Sequence, residues 1–258
     1  MPHETKAKLI IRNATTPDIP AIAEMSRRIY AAEIAYNEPQ IRGQINNFPE
    51  GVFVAEYEGI IVGYCATSIV DEKLALRPHT WDEVSGAGYG SRHNPEGDIL
   101  YGIEVSVHPD FRRLRIGQRF YRARRELCRR LELKAIVFGG RLPAYQRRKK
   151  EYPDPKDYLA AVLSLAVRDQ VINFQLKQGF EAIGILKNYL PADKASGGHA
   201  VHMMWSNPLA AVLPASRMTR PDRRLPNKVR VATVQFQMRK ITCIEQFEEQ
   251  VEYFVDKS

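Results

Sequence analysis

Glu104-Val-Ser-Val-His-Pro-Asp-Phe-Arg-Arg-Leu-Arg-Ile-Gly-Gln-Arg-Phe120 is the stretch from which the rest of the chain can be ordered. Its apolar residues read as a strand that ends at Val107, and Pro109 breaks it by removing a backbone donor. A basic turn follows and runs into the helical repeat Ile116, Phe120, Ala123, Leu127 and Leu131. A turn at a helix start leaves several N–H groups unpaired and aimed one way, with the positive end of the helix dipole behind them. The basic turn and the helix start behind it therefore read as a seat for a pyrophosphate.

Composition narrows the partners. The 258 residues are 44% hydrophobic, enough for a substantial core, and carry a net charge of +8. Nine arginines lie between Arg112 and Arg130, and five more basic residues lie in the stretch Arg141–Lys150. The apolar repeat places the arginines of the first cluster on the opposite, solvated face of their helix. No aromatic residues interleave with them as in a base-stacking platform, so nucleic acid is a minor reading. The start, Met-Pro-His-Glu-Thr-Lys-Ala-Lys, has no apolar core of a signal peptide, and no 18-residue apolar run occurs. A cytoplasmic protein with no membrane partner is expected. Cys65, Cys128 and Cys243 match no zinc or redox spacing and read as reduced structural thiols; no metal is expected.

Working outward, Lys8–Ala14 reads as an opening strand, and Thr15-Thr16-Pro17-Asp18 starts a helix extending to about Ala35. Pro39–Asn47 reads as a second helix. Val52–Tyr57 and Ile60–Ile69 are strands joined at Glu58-Gly59. Residues 71–97 form a long polar insertion, of a length that is usually functional. Ile99–Val107 and Ala135–Gly139 are strands on either side of the basic helix; Pro155–Arg168 and Asp169–Lys177 are helices; Phe180–Leu186 and Ala200–Trp205 are closing strands.

The stretch 107–117 resembles the acyl-CoA-binding segment of the GNAT (Gcn5-related) N-acetyltransferases, roughly Val-x-Pro-x-x-Arg-Gly-x-Gly-Ile-Gly. Val107, Pro109, Arg112, Ile116 and Gly117 match, whereas Arg113 and Arg115 stand where the family has glycine. The segment Asn173–Phe180 resembles the family's late helix ending in Tyr-x-x-x-Gly-Phe, with Gly179 and Phe180 matching and Gln175 in the tyrosine position. The resemblance covers residues 8–207 and is supported by the element order. It implies an α/β GNAT fold, a mixed central sheet flanked by helices, and an N-acyltransferase that uses acetyl-CoA and a small-molecule or protein amine.

The resemblance also implies roles. The main chain of Val105, Ser106 and Val107 would pair with the pantetheine arm, and Arg112, Arg113, Leu114, Arg115, Ile116, Gly117 and Gln118 would hold the pyrophosphate, with Gln175 beside the cofactor. Glu104 would be the general base, or else a strand glutamate satisfying an arginine. Because Gln175 cannot donate a proton of suitable pKa, Tyr145 is the candidate proton donor, with Tyr189 or water as substitutes; each tyrosine has a packing role as its alternative. His108 is expected to be non-catalytic. His93 could line the acceptor pocket or face solvent, and Trp81, Asp82 and Glu83 could offer a cationic amine a stacking surface and negative charge.

Residues 208–227 read as a linker. Residues 228–258 open with Lys-Val-Arg-Val-Ala-Thr-Val-Gln and resemble the first strand and helix of the nitrilase (carbon–nitrogen hydrolase) superfamily, giving a short strand–helix appendage without that superfamily's catalytic set. Besides the enzyme, a CoA-sensing module regulating such a hydrolase and a basic nucleic-acid-binding domain are open readings, and a homodimer is compatible with all three.

Overall fold

A computed structural model describes residues 8–210. β1 (Leu9–Asn13) leads through a 3-10 turn to α1 (Ile19–Ile29) and then α2 (Glu38–Asn47). β2 (Val52–Tyr57) and β3 (Ile60–Val70) form the hairpin at Glu58-Gly59, where both residues have positive φ. The insertion contributes α3 (Glu72–Leu76) and α4 (Trp81–Ser85) before β4 (Ile99–Val107). A 3-10 turn over Pro109–Leu114 enters α5 (Ile116–Arg130), followed by β5 (Ala135–Arg141), α6 (Tyr145–Arg148), α7 (Pro155–Leu163) and α8 (Gln170–Lys177). β6 (Glu181–Leu186) and β7 (Ala200–Ser206) close the sheet.

The seven strands run in the order β1-β2-β3-β4-β5-β7-β6, antiparallel except for β4 and β5. That exception positions the site. β4 pairs with β5 only over Ile99–Gly102 against Ala135–Phe138, after which β5 continues along β7. Beyond Gly102 the two strands separate, and the β5-facing edge of Glu104–Val107 has no strand beside it. A bulge coincides with the divergence: on β3, Ala66 faces Glu104 and Thr67 faces Gly102, so Ile103 is the extra residue. Gly102 faces α5, since a Cβ there would lie 2.6 Å from an Arg124 nitrogen. Ile103 instead packs in the cluster built around α1 and α2. The bulge turns Glu104 onto that same side, toward Tyr30.

Several boundaries differ from expectation for physical reasons. The first helix ends at Ile29, not Ala35: Tyr30 is extended and only its N–H still reaches Ser26 O. The second begins at Glu38, under an Asn37–Gln40 capping box. The helix expected to run to Arg168 stops at Leu163, and Leu165 has a left-handed φ of 65°. The inserted residues 71–97 are not a bare loop; Gln40, Gln44 and Asn47 of α2 donate to the carbonyls of Ala87, Gly88 and Tyr89. The linker and the nitrilase-like segment expected at 208–227 and 228–258, with Cys243, lie almost wholly outside the described residues.

Candidate functional site

The strand-turn-helix that opens the sequence reading is present as expected. His108 N–H bonds Val62 O, and the His108 ring accepts from Asp110 N–H at 3.4 Å, so this histidine caps the 3-10 turn. Arg115 joins the turn to α5 with φ 56° and ψ 29°, the left-handed conformation that glycine adopts freely. The arginine is therefore a strained substitute in the backbone shape that a glycine would supply. The first α5 amides, at Ile116, Gly117 and Gln118, have no preceding helical carbonyls and point out of the helix start. Gly117 is needed for packing as well: a Cβ there would meet the Phe174 ring of α8 at 3.2 Å.

Seven of the nine arginines in 112–130 are exposed, as the helical repeat requires, but Arg124 is not. It is 1% exposed, stacked 4.1 Å over the Tyr121 ring, with Nε and one terminal nitrogen unpartnered among the described residues. Gln175 is likewise buried, and its Oε1 has no partner; a Cβ on Gly140 of β5 would lie 2.4 Å from it. An orphaned acceptor against the strand that diverges from β4 fits a ligand amide lying in the gap. The free edge of Glu104–Val107 and the first α5 amides add backbone groups that a ligand lying in line with the strand could bond.

At the start of that edge, Glu104 accepts a 2.6 Å hydrogen bond from the Tyr30 hydroxyl. Burial pushes its carboxyl above the ordinary glutamate range, opposed by that hydrogen bond and by the charge of Arg141. Arg141 forms a bidentate pair with Asp193, at 2.7 and 2.6 Å, and lies 5.4 Å over the Tyr30 ring. Ser196 donates to Asp193 at 2.6 Å. Glu104 itself has no ion-pair partner within bonding range among the described residues; the neighbouring arginine, Arg141, acts on it through charge. Tyr36, Tyr64 and Tyr189 also act electrostatically on or near this carboxylate, and burial raises all of them.

Tyr145 belongs elsewhere. It is fully buried in the main core, and its hydroxyl donates to Pro153 O at 2.9 Å, so the structure gives it the packing role rather than proton donation. Tyr189 is the tyrosine at the site: a Cβ on Gly139 would sit 2.5 Å from its ring, and its hydroxyl is 3.0 Å from that of Tyr101, which in turn is 2.7 Å from His79 Nε2. His93 is half-buried, stacked on Phe48 and accepting from Ile69 N–H, which gives it a packing role in the insertion. Trp81 reaches the site, packed edge-on against Tyr36 at 5.8 Å; Glu83 is taken up by Arg77, and Asp82 is exposed. Sequence reasoning missed Tyr30, Tyr36, Arg141 and Asp193. They lie outside the motifs, and no local pattern marks them.

Among the described residues there is no cluster of metal-ligating side chains, and no helix is long and apolar enough to cross a membrane. Comparison with known proteins bears on the family and the fold. A profile described as Acetyltransferase (GNAT) family matches residues 19–148. The "Probable hydrolase YhcX" of Bacillus subtilis is 38% identical over 249 residues, 96% of this chain and 48% of that protein, so the chain spans about half of that relative. The "Uncharacterized N-acetyltransferase YkwB" of the same organism is 32% identical over 203 residues, 77% of this chain and 89% of that one. Among solved structures, a GphF GNAT-like decarboxylase in complex with isobutyryl-CoA superposes with a TM-score of 0.66 at 24% identity, covering 77% of this chain and 99% of the other. The loading GNATL domain of CurA from Lyngbya majuscula gives 0.65 at 17%, covering 78% and 98%. With the diverging strands, the motif turn and these matches in hand, the chain belongs to the GNAT acetyltransferase family.

Proposed function

We propose that the chain is an acyl-CoA-dependent N-acyltransferase, with acetyl-CoA as donor and an amine as acceptor. The observation that carries this reading is the placement of Glu104: a half-buried carboxylate with no ion-pair partner, standing where the free edge of β4 meets the divergence from β5. The edge N–H groups of Val105 and Val107 supply rungs for a pantetheine arm, and one of them polarises the thioester carbonyl. The amides from Arg113 to Gln118 take the pyrophosphate, Arg112 adds charge beside them, and Gln175 Oε1 accepts from a pantetheine amide. Alignment of this kind contributes on the order of 7–11 kcal/mol in favourable cases.

The bond that forms is N–C, and the bond that breaks is C–S. The ammonium gives up two protons: Glu104 accepts one and passes it to solvent, and the other balances the departing thiolate. Tyr189, Tyr30 and Tyr36 keep their protons because burial raises them, so they orient groups rather than serve as acids. A thiolate is a tolerable leaving group, which accounts for a glutamine in the tyrosine position.

Residues 228–258 and the length of YhcX support a second part of this reading: the acyltransferase unit precedes a carbon–nitrogen hydrolase unit. A cytoplasmic location, where acetyl-CoA is available, belongs to the same proposal.

The test is a thermal shift combined with CoA release in the presence of amines. At a hundredfold excess over Kd, CoA should stabilise the protein by about 2.7 kcal/mol, roughly 5–10 °C in Tm. Stabilisation with no release from any amine would favour a CoA sensor.

A further inference from the structure

We infer that the acceptor is a compact primary monoamine, singly positive and without a carboxylate, held in an aromatic cage over Glu104. The inference rests on the acyltransferase reading and names its substrate class.

Three segments build the cage. The link between α1 and α2 supplies Tyr30 and Tyr36, the insertion supplies Trp81, and the segment between β6 and β7 supplies Tyr189. They are tied to one another. Trp81 N–H donates to Tyr189 O at 2.7 Å, the Tyr36 ring stands edge-on to Trp81, and Tyr36 N–H is held by Ser26 Oγ at 2.8 Å. Tyr36 and Tyr189 are 5% and 6% exposed, whereas Tyr30, Trp81 and Glu104 are half-buried, so these last three form the reachable part of the wall. One backbone hydrogen bond and one ring contact tie the three segments together, so the acceptor they admit is compact.

Charge sets its sign. Arg141 is the cation acting on Glu104, and Asp193 neutralises it through two hydrogen bonds. Glu104, Arg141 and Asp193 together leave one negative charge unbalanced, among aromatic faces. An ammonium group is the complement of both, through the carboxylate and through the ring quadrupoles. A carboxylate on the acceptor would bring a second negative charge into a site whose guanidinium is already committed to Asp193.

The experiment uses the full chain, acetyl-CoA and matched acceptors: phenethylamine against phenylalanine, isoamylamine against leucine, and each against a tripeptide beginning with the same residue. CoA release should show kcat/KM at least about tenfold higher for each amine than for its amino acid or peptide. Equal or reversed preference overturns the cage while leaving acyl transfer intact. Phenyltrimethylammonium, which cannot be acylated at nitrogen, gives a readout without turnover. It should bind saturably by calorimetry and compete with the amines, and Trp81→Ala should weaken it about fivefold or more while CoA-induced stabilisation persists. If no acceptor releases CoA, this binding still decides: its absence overturns the cage, and its presence upholds the cage while the acyltransferase reading fails.

Discussion

Glu104 concentrates the chemistry in one side chain, and its environment makes its contribution measurable. Glu104→Gln should lower kcat by about 10²–10⁴-fold, the usual range for a positioned base, while CoA-induced stabilisation persists. Because burial raises the carboxyl, the acidic limb of kcat/KM should lie above the ordinary glutamate range, activity falling as pH drops through it. A limb that survives in Glu104→Gln would assign it to another group. Arg115 makes the converse case. Its left-handed backbone stands in for glycine, so Arg115→Gly should raise stability by roughly 0.5–1 kcal/mol, the steric relief being partly offset by glycine's greater freedom in the unfolded chain. Affinity for CoA, read by calorimetry, should change by less than about threefold if main-chain amides form the seat; a loss of about tenfold would transfer that duty to the guanidinium.

At the scale of elements, close approach decides more than propensity. Gly63 of β3 lies under α5, where a Cβ would meet Ile116 and Phe120 at 2.9 Å. Gly63→Ala should therefore cost about 1–3 kcal/mol through displacement of that helix, seen as a fall in denaturation midpoint with an unchanged slope. The strands, the motif turn and the basic helix were legible because periodicity and proline breaks are local properties of the chain. Arg124 was not: it shares the buried stripe with Ile116, Phe120 and Leu127, and a charged residue within such a stripe reads as a surface residue until the stacking under it is seen. The cage was illegible for a related reason. Tyr30, Trp81 and Tyr189 are distant in sequence, and the β4 bulge that turns Glu104 toward them leaves no mark in the alternation of Ile99–Val107. Tyr145 misled in the opposite way, since proximity in sequence to the site said nothing about its hydrogen bond to Pro153.

Over the whole molecule, stability should depend on pH through histidines held neutral inside it. His202 is 5% exposed, its Nε2 faces Ala75 O at 2.9 Å, and burial depresses it to about 4. Its folded value lies below the unfolded one, so the unfolded chain binds the extra proton first. Stability is then full above about pH 6.5 and declines toward pH 4, by up to about 3 kcal/mol from this group. His202→Gln should flatten that part of the Tm–pH curve. A larger consequence comes from the brief contact of β4 with β5. Four residue pairs make up the strand pairing between the half-sheet β1–β4 and the half-sheet β5–β7–β6. A molecule wedged along the rest of that seam would act as a splint, adding contacts to both blocks where the strands themselves do not pair. Amide exchange should then slow on both blocks in concert when CoA binds, far beyond the residues it touches.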